Sequence, residues 1–214
     1  MLINLLRREL RIPKPYFYLL GFVLFIPFTK FFTSGEPIDH IMLLIVLAFW
    51  IPLNVAYDEQ PALINSLPVT RSKIVLAKYI SGVMWFIPAA VIVCTYVFLF
   101  DQYAPFPTRL MTGRDILLAF SGLCLAMSVF HPLGILSGYI TAGLLTAVCF
   151  VTVSIIINMV INIYHNPSLT YLDGFVETIL ANQSLFRLLL IVISLIVTWL
   201  SYKLSVHYYE KKGF

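Results

Sequence analysis

From Ile80 to Phe100 the chain runs without a charged side chain. A helix of that length, rising ~1.5 Å per residue, crosses the ~30 Å hydrocarbon core of a bilayer. The rest of the chain offers no soluble shell to hide such a run. Of 214 residues, 60% are hydrophobic and 11% charged, against ~45–50% and ~25% in soluble domains. The composition excludes a water-soluble fold and predicts an all-α, polytopic membrane protein. The net charge of +4 is too small and dispersed for nucleic acid. Cys94, Cys124 and Cys149 fall inside apolar runs without paired or metal-type spacing, and read as small core residues. No cleavable signal is evident.

Residues 1–15 read as an interfacial amphipathic helix. Leu2, Ile3, Leu6 and Leu10 share one face, and Arg7, Arg8 and Arg11 lie on the other, suited to anionic headgroups. Six spans follow, about 16–32, 40–57, 80–100, 116–130, 135–160 and 185–204, in a single transmembrane domain, 1–214. The HPLG link, His131 to Gly134, is expected to be the tight turn between the fourth and fifth spans. Six spans put both termini on one side. That side carries Arg7, Arg8, Arg11, Lys14, Arg71, Lys73, Lys78, Lys203, Lys211 and Lys212, whereas the other carries Lys30, Arg109, Arg114 and Arg187. The basic side is expected to be cytoplasmic.

No span carries a carboxylate or base near its centre, which argues against an ion-coupled carrier. It also suggests a substrate with its own apolar face. Intramembrane protease signatures are missing, as is GxxxxGK[ST], so any ATP is expected to be bound elsewhere. No catalytic residue and no metal ligand is assigned. His131, beside Pro132 at a span end, reads as structural.

Three features carry more information. Gly134, Gly138, Ala142 and Thr146 recur every four residues, allowing close helix packing within one subunit or between two. Ser154, Asn158 and Asn162 repeat the interval; they either bridge helices or face a wet translocation path. Within the extracellular segment 163–183, residues 170–180 predict a short amphipathic helix too short to span. Thr170 and Asp173 resemble a capping box. Asp173 and Glu177 face water there, as a lid or an outer gate.

The third feature is 58–79, the long polar stretch between apolar runs. Pro61 suits a first helical turn, and Pro68 stops that helix by Leu67. Leu63, Ile64 and Leu67 cluster on one side. A two-turn helix is unstable alone in water, so a neighbouring span or a partner's groove must hold it. Thr70 can cap the next helix. Arg71, Ile74, Val75 and Lys78 share a face over its first two turns, and the helix is expected to project inward from the membrane. Arg71 and Lys78 read as headgroup anchors or force-transmitting residues.

Ser66-Leu67-Pro68-Val69-Thr70-Arg71, followed by Lys78-Tyr79 and preceded by Glu59, resembles the segment between the second and third spans of small six-span bacterial ABC type-2 permeases. The layout resembles that family over the whole chain. The resemblance implies a bacterial cell-membrane permease without its own ATPase. It would pair with a second permease, identical or paralogous, and bind two cytoplasmic ATPase subunits that hold ATP and Mg²⁺. It makes 58–67 a cytoplasmic coupling helix, with Leu63, Ile64 and Leu67 as apolar anchors and Asp58 and Glu59 as polar contacts. The group includes exporters of amphipathic peptides, such as the phenol-soluble modulin exporter. The expected function is ATP-driven export of an amphipathic or hydrophobic substrate: a peptide toxin, an antimicrobial peptide or a lipid-like molecule. The alternatives are a non-transporting sensor or scaffold, and more remotely an intramembrane enzyme.

Overall fold

The computed structural model describes residues 3, 6–7, 40–41, 43–49, 69–103, 109–149, 152 and 183–212. Every regular element among them is helical: α1 (43–49), α2 (Arg71–Tyr103), α3 (Gly113–Ser137), α4 (Tyr139–Cys149) and α5 (Gln183–Lys211). Three of these, α2, α3 and α5, are long and apolar enough to cross a membrane.

Helix α2 starts where Thr70 allows it: the Thr70 carbonyl accepts the Lys73 and Ile74 amides at 2.9 and 3.3 Å. Its 33 residues are ~50 Å long, well beyond the ~30 Å of hydrocarbon. The start of α3 is fixed by Asp115. That carboxylate accepts the Thr112 amide at 2.8 Å and the Thr112 hydroxyl at 2.7 Å, and pairs with Arg109 at 2.6 Å. Threonine followed three residues later by an acid is the pattern of a helix start, and it begins α3 three residues before the expected Ile116.

The tight turn expected at His131–Gly134 is not there. Helix α3 continues through Pro132 to Ser137, and the break falls at Gly138, with φ +89°. A side chain would be strained in that left-handed conformation, whereas glycine is not. Phe130 then packs with Ala142 and Tyr139. Along a straight helix, positions 130 and 142 would be ~18 Å apart, so α4 folds back on α3.

Contact registers give the directions. Ile45 meets Gly122 and Phe49 meets Phe130, so α1 runs parallel to α3. Thr198 bonds Cys124, and Ser201 bonds Ser128, so α5 also runs parallel to α3. Tyr79 meets His131 and Phe86 meets Phe120, so α2 is antiparallel to it. Helices α1, α3 and α5 therefore run one way, α2 and α4 the other.

The main core joins α1 (Leu44, Ile45, Ala48), α2 (Ile74, Val75, Phe86, Ala89, Val93, Val97), α3 (Ala119, Leu123, Met127) and Tyr209 of α5. Leu6, at the amino-terminal end, packs against the same cluster, and Ile3 is exposed. Helix α5 is inverted relative to a soluble helix. Ser194, Ser201 and Ser205 are buried, whereas Leu188, Leu189, Ile193, Ile196, Trp199 and Leu200 face outward. In water that arrangement exposes what should be hidden. Against lipid tails it is favourable, because small polar residues bring helices together and leucines meet the acyl chains.

Candidate functional site at the basic end of the bundle

The helix ends place Arg71, Lys73, Lys78, Lys203, Lys211 and Lys212 toward one end of the bundle. Asp101, Arg109, Arg114, Asp115 and Arg187 lie toward the other. At the basic end, the segment from Arg71 to Tyr79 is stitched to the close of α5. The Arg71 guanidinium donates to the carbonyls of Tyr209 at 3.0 Å and Glu210 at 2.9 Å. A helix leaves its last four carbonyls without internal donors, and a cation there also complements the helix dipole. Ser72 Oγ lies 2.7 Å from the Tyr202 hydroxyl. The Tyr79 hydroxyl lies 2.8 Å from Ser201 Oγ and 3.1 Å from Ser205 Oγ. Lys212 Nζ donates to the Ile135 carbonyl, which ties the end of α5 to the end of α3.

Lys78 lies two turns into α2 and is 4% exposed, with Nζ 4.9 Å from the centre of the Tyr139 ring. A cation over an aromatic face recovers roughly 0.5–2 kcal/mol of its lost hydration. His131 is also buried, its ring 4.5 Å from that of Tyr79 and 5.3 Å from that of Phe130. Neither of its nitrogens reaches a hydrogen-bond partner among the described residues. The site is built of hydroxyls, helix-end carbonyls and cations, groups suited to holding helices against one another.

Of the residues picked from sequence, Arg71 and Lys78 are brought into this cluster. The four-residue stripe is divided by the turn. Gly134 stays in α3, where the Tyr139 ring fills the space a Cβ would take. Gly138 is the break itself, and Ala142 and Thr146 are buried in α4. The stripe therefore does not run along one helix: its first half lets α3 and α4 turn closely. Asp58, Glu59, Leu63, Ile64, Leu67, Ser154, Asn158, Asn162, Asp173 and Glu177 lie outside the described residues.

One seam escaped the sequence reading: Ser194, Thr198, Ser201 and Ser205 on α5, of which Thr198 and Ser201 meet Cys124 and Ser128 on α3 and Ser205 meets Tyr79 on α2. Thr198 Oγ1 lies 2.7 Å from the Ser194 carbonyl oxygen and 3.2 Å from that of Cys124, the two sharing its one proton. Ser128 Oγ donates to the Cys124 carbonyl at 2.7 Å and reaches Thr198 Oγ1 at 3.1 Å. The 4-3-4 spacing of small polar residues within leucines was the available signal.

A family model described as "ABC-2 family transporter protein" matches residues 4–210. No curated protein and no solved structure gives a match.

Proposed function

The chain belongs to the ABC-2 transporter family, as a membrane permease component of an ABC transporter, and from that premise we propose that it works with a separate ATPase chain to export an amphipathic or hydrophobic substrate. The carrying observation is the stitching of Arg71, Ser72 and Tyr79 to the last turns of α5. These residues follow directly on the segment 58–67, proposed as the coupling helix. A push on that helix is delivered to the start of α2 and shared at once with α5.

The proposed layout is six spans with both termini and the basic end in the cytoplasm, in keeping with the bias of Lys and Arg. Leu63, Ile64 and Leu67 are the proposed apolar anchors in the ATPase groove, and Asp58 and Glu59 its polar contacts. ATP and Mg²⁺ belong to that partner, present in two copies around a pair of permeases. Ser154, Asn158 and Asn162 are proposed for the pathway or its packing, and Asp173 and Glu177 for the outer gate. Peptide toxins, antimicrobial peptides and lipid-like molecules fit a path whose spans carry few charges at depth.

Copurification tests the reading. An ABC ATPase should copurify with this chain, and Leu63→Asp or Glu59→Arg should abolish that while the permease stays folded. An ATPase retained by both variants overturns the coupling assignment.

A further inference from the structure

Pro132 lies inside α3. It has no amide proton, so the Ser128 carbonyl, four residues back, loses its intrahelical donor. That carbonyl is not left bare: Ser201 Oγ of α5 donates to it at 2.6 Å. A serine hydroxyl has one proton, and a carbonyl can only accept. The 2.8 Å contact between Ser201 Oγ and the Tyr79 hydroxyl is therefore made by the phenol's proton. Ser205, 3.1 Å from the same phenol oxygen, is left to donate to it. The result is a directed chain through three helices: Ser205 to Tyr79, Tyr79 to Ser201, Ser201 to the Ser128 carbonyl. Tyr79, Ser201 and Ser205 are buried, where each bond polarises the next and a broken one is costly.

We propose that Tyr79 and Ser201 are positioning residues of transport: they latch the proline hinge of α3, so that movement of the basic end of α2 sets the bend of α3. The proposal rests on the reading of this chain as a permease driven at that end. Sliding α2 by a few tenths of an ångström draws the phenol from Ser201 and alters the donor that the hinge carbonyl depends on.

The test separates the latch from the transmission. Ser201→Ala should lower the Tm of the purified chain by roughly 2–4 °C, the shift for the loss of one net hydrogen bond in a chain of this size. In a Pro132→Ala background, where residue 132 regains an amide for the Ser128 carbonyl, the same substitution should shift Tm by less than half as much. Equal losses in both backgrounds overturn the latch.

For transmission, spin labels are placed at Lys73 and Leu136, both exposed, in a chain whose cysteines are replaced by alanine, assembled with its ATPase in lipid. ATP with vanadate should shift the distance between the labels. Tyr79→Phe, which removes one hydroxyl and keeps the ring, should reduce that shift by at least half. A full shift in Tyr79→Phe overturns transmission. No shift in the unsubstituted chain overturns both transmission and the ATPase-driven reading, while the thermal cycle still judges the latch.

Discussion

Arg71 holds two carbonyls at once, one guanidinium nitrogen lying within 3.0 Å of both Tyr209 and Glu210 oxygens. Charge-assisted hydrogen bonds are worth ~1.5–3 kcal/mol where they are shielded from water, and less at this half-buried site. Arg71→Ala should let the last turn of α5 fray, raising amide exchange at 208–212 about tenfold. Arg71→Lys should restore only part of the protection, since the ammonium sits on a shorter side chain and is a more strongly hydrated point charge. Exchange unchanged in Arg71→Ala would leave the residue no role in closing α5. His131 makes the opposite prediction. Two buried ring nitrogens without partners among the described residues cost ~1–3 kcal/mol. His131→Leu should therefore raise Tm by roughly 2–12 °C, read by thermal unfolding in detergent. Destabilisation instead would mean that the imidazole is satisfied by a group the described residues do not supply. Arg71 and Lys78 stand out in the sequence as cations beside a polar segment. Their partners do not, because helix-end carbonyls and a ring 61 residues farther along (139 − 78) are brought near only by packing.

Among the elements, the existence of the helices was legible and most of their ends were not. The start of α2 is the exception: Thr70 reads as its cap and Arg71 as part of its first turns, and α2 begins at Arg71. Helix α5 runs seven residues past the expected 204, to Lys211, because Tyr209 packs in the core and Arg71 caps the end. Neither cause is local. The start of α3 was legible in principle, since Thr112 and Asp115 repeat the pattern noticed at Thr170 and Asp173. The turn after α3 misled for a physical reason: proline beside histidine looks like a helix end, yet Ser201 replaces the donor that Pro132 lacks, and the helix continues. Gly138, not Pro132, ends it. Gly138→Ala should therefore cost about 1 kcal/mol or more, from a side chain forced to φ +89°. That is a fall in Tm of at least ~2 °C at this chain length. Far-ultraviolet circular dichroism should show the helix content kept. A Gly134→Ala variant should also lose stability, because its Cβ meets the Tyr139 ring, so the pair locates the turn from two sides.

At the scale of the molecule, the inverted packing of α5 and the alternating directions of α1 to α5 are two views of one constraint. A chain whose serines face inward and whose leucines face outward needs an apolar medium around it. A chain that crosses such a medium repeatedly must alternate in direction. The orientation then rests on charge alone: Arg71, Lys73, Lys211 and Lys212 cluster at one end, and cytoplasmic ends are enriched in Lys and Arg. Helix α2 tests it in a single element. Its ~50 Å length puts Lys73 and Tyr103 beyond the hydrocarbon on opposite faces, and both are exposed, Tyr103 at 84%. With the native cysteines replaced by alanine, Lys73→Cys and Ser66→Cys should react with a membrane-impermeant maleimide only in inverted vesicles. Tyr103→Cys should react only in intact cells. Reversal of all three patterns would turn the chain over and move the coupling segment away from any cytoplasmic ATPase. Reaction of Lys73→Cys and Tyr103→Cys from the same face would show that α2 does not cross, and the layout would fail with it. Because 66 and 73 flank the start of one helix, their agreement also checks that the segment before α2 stays on the side where α2 begins.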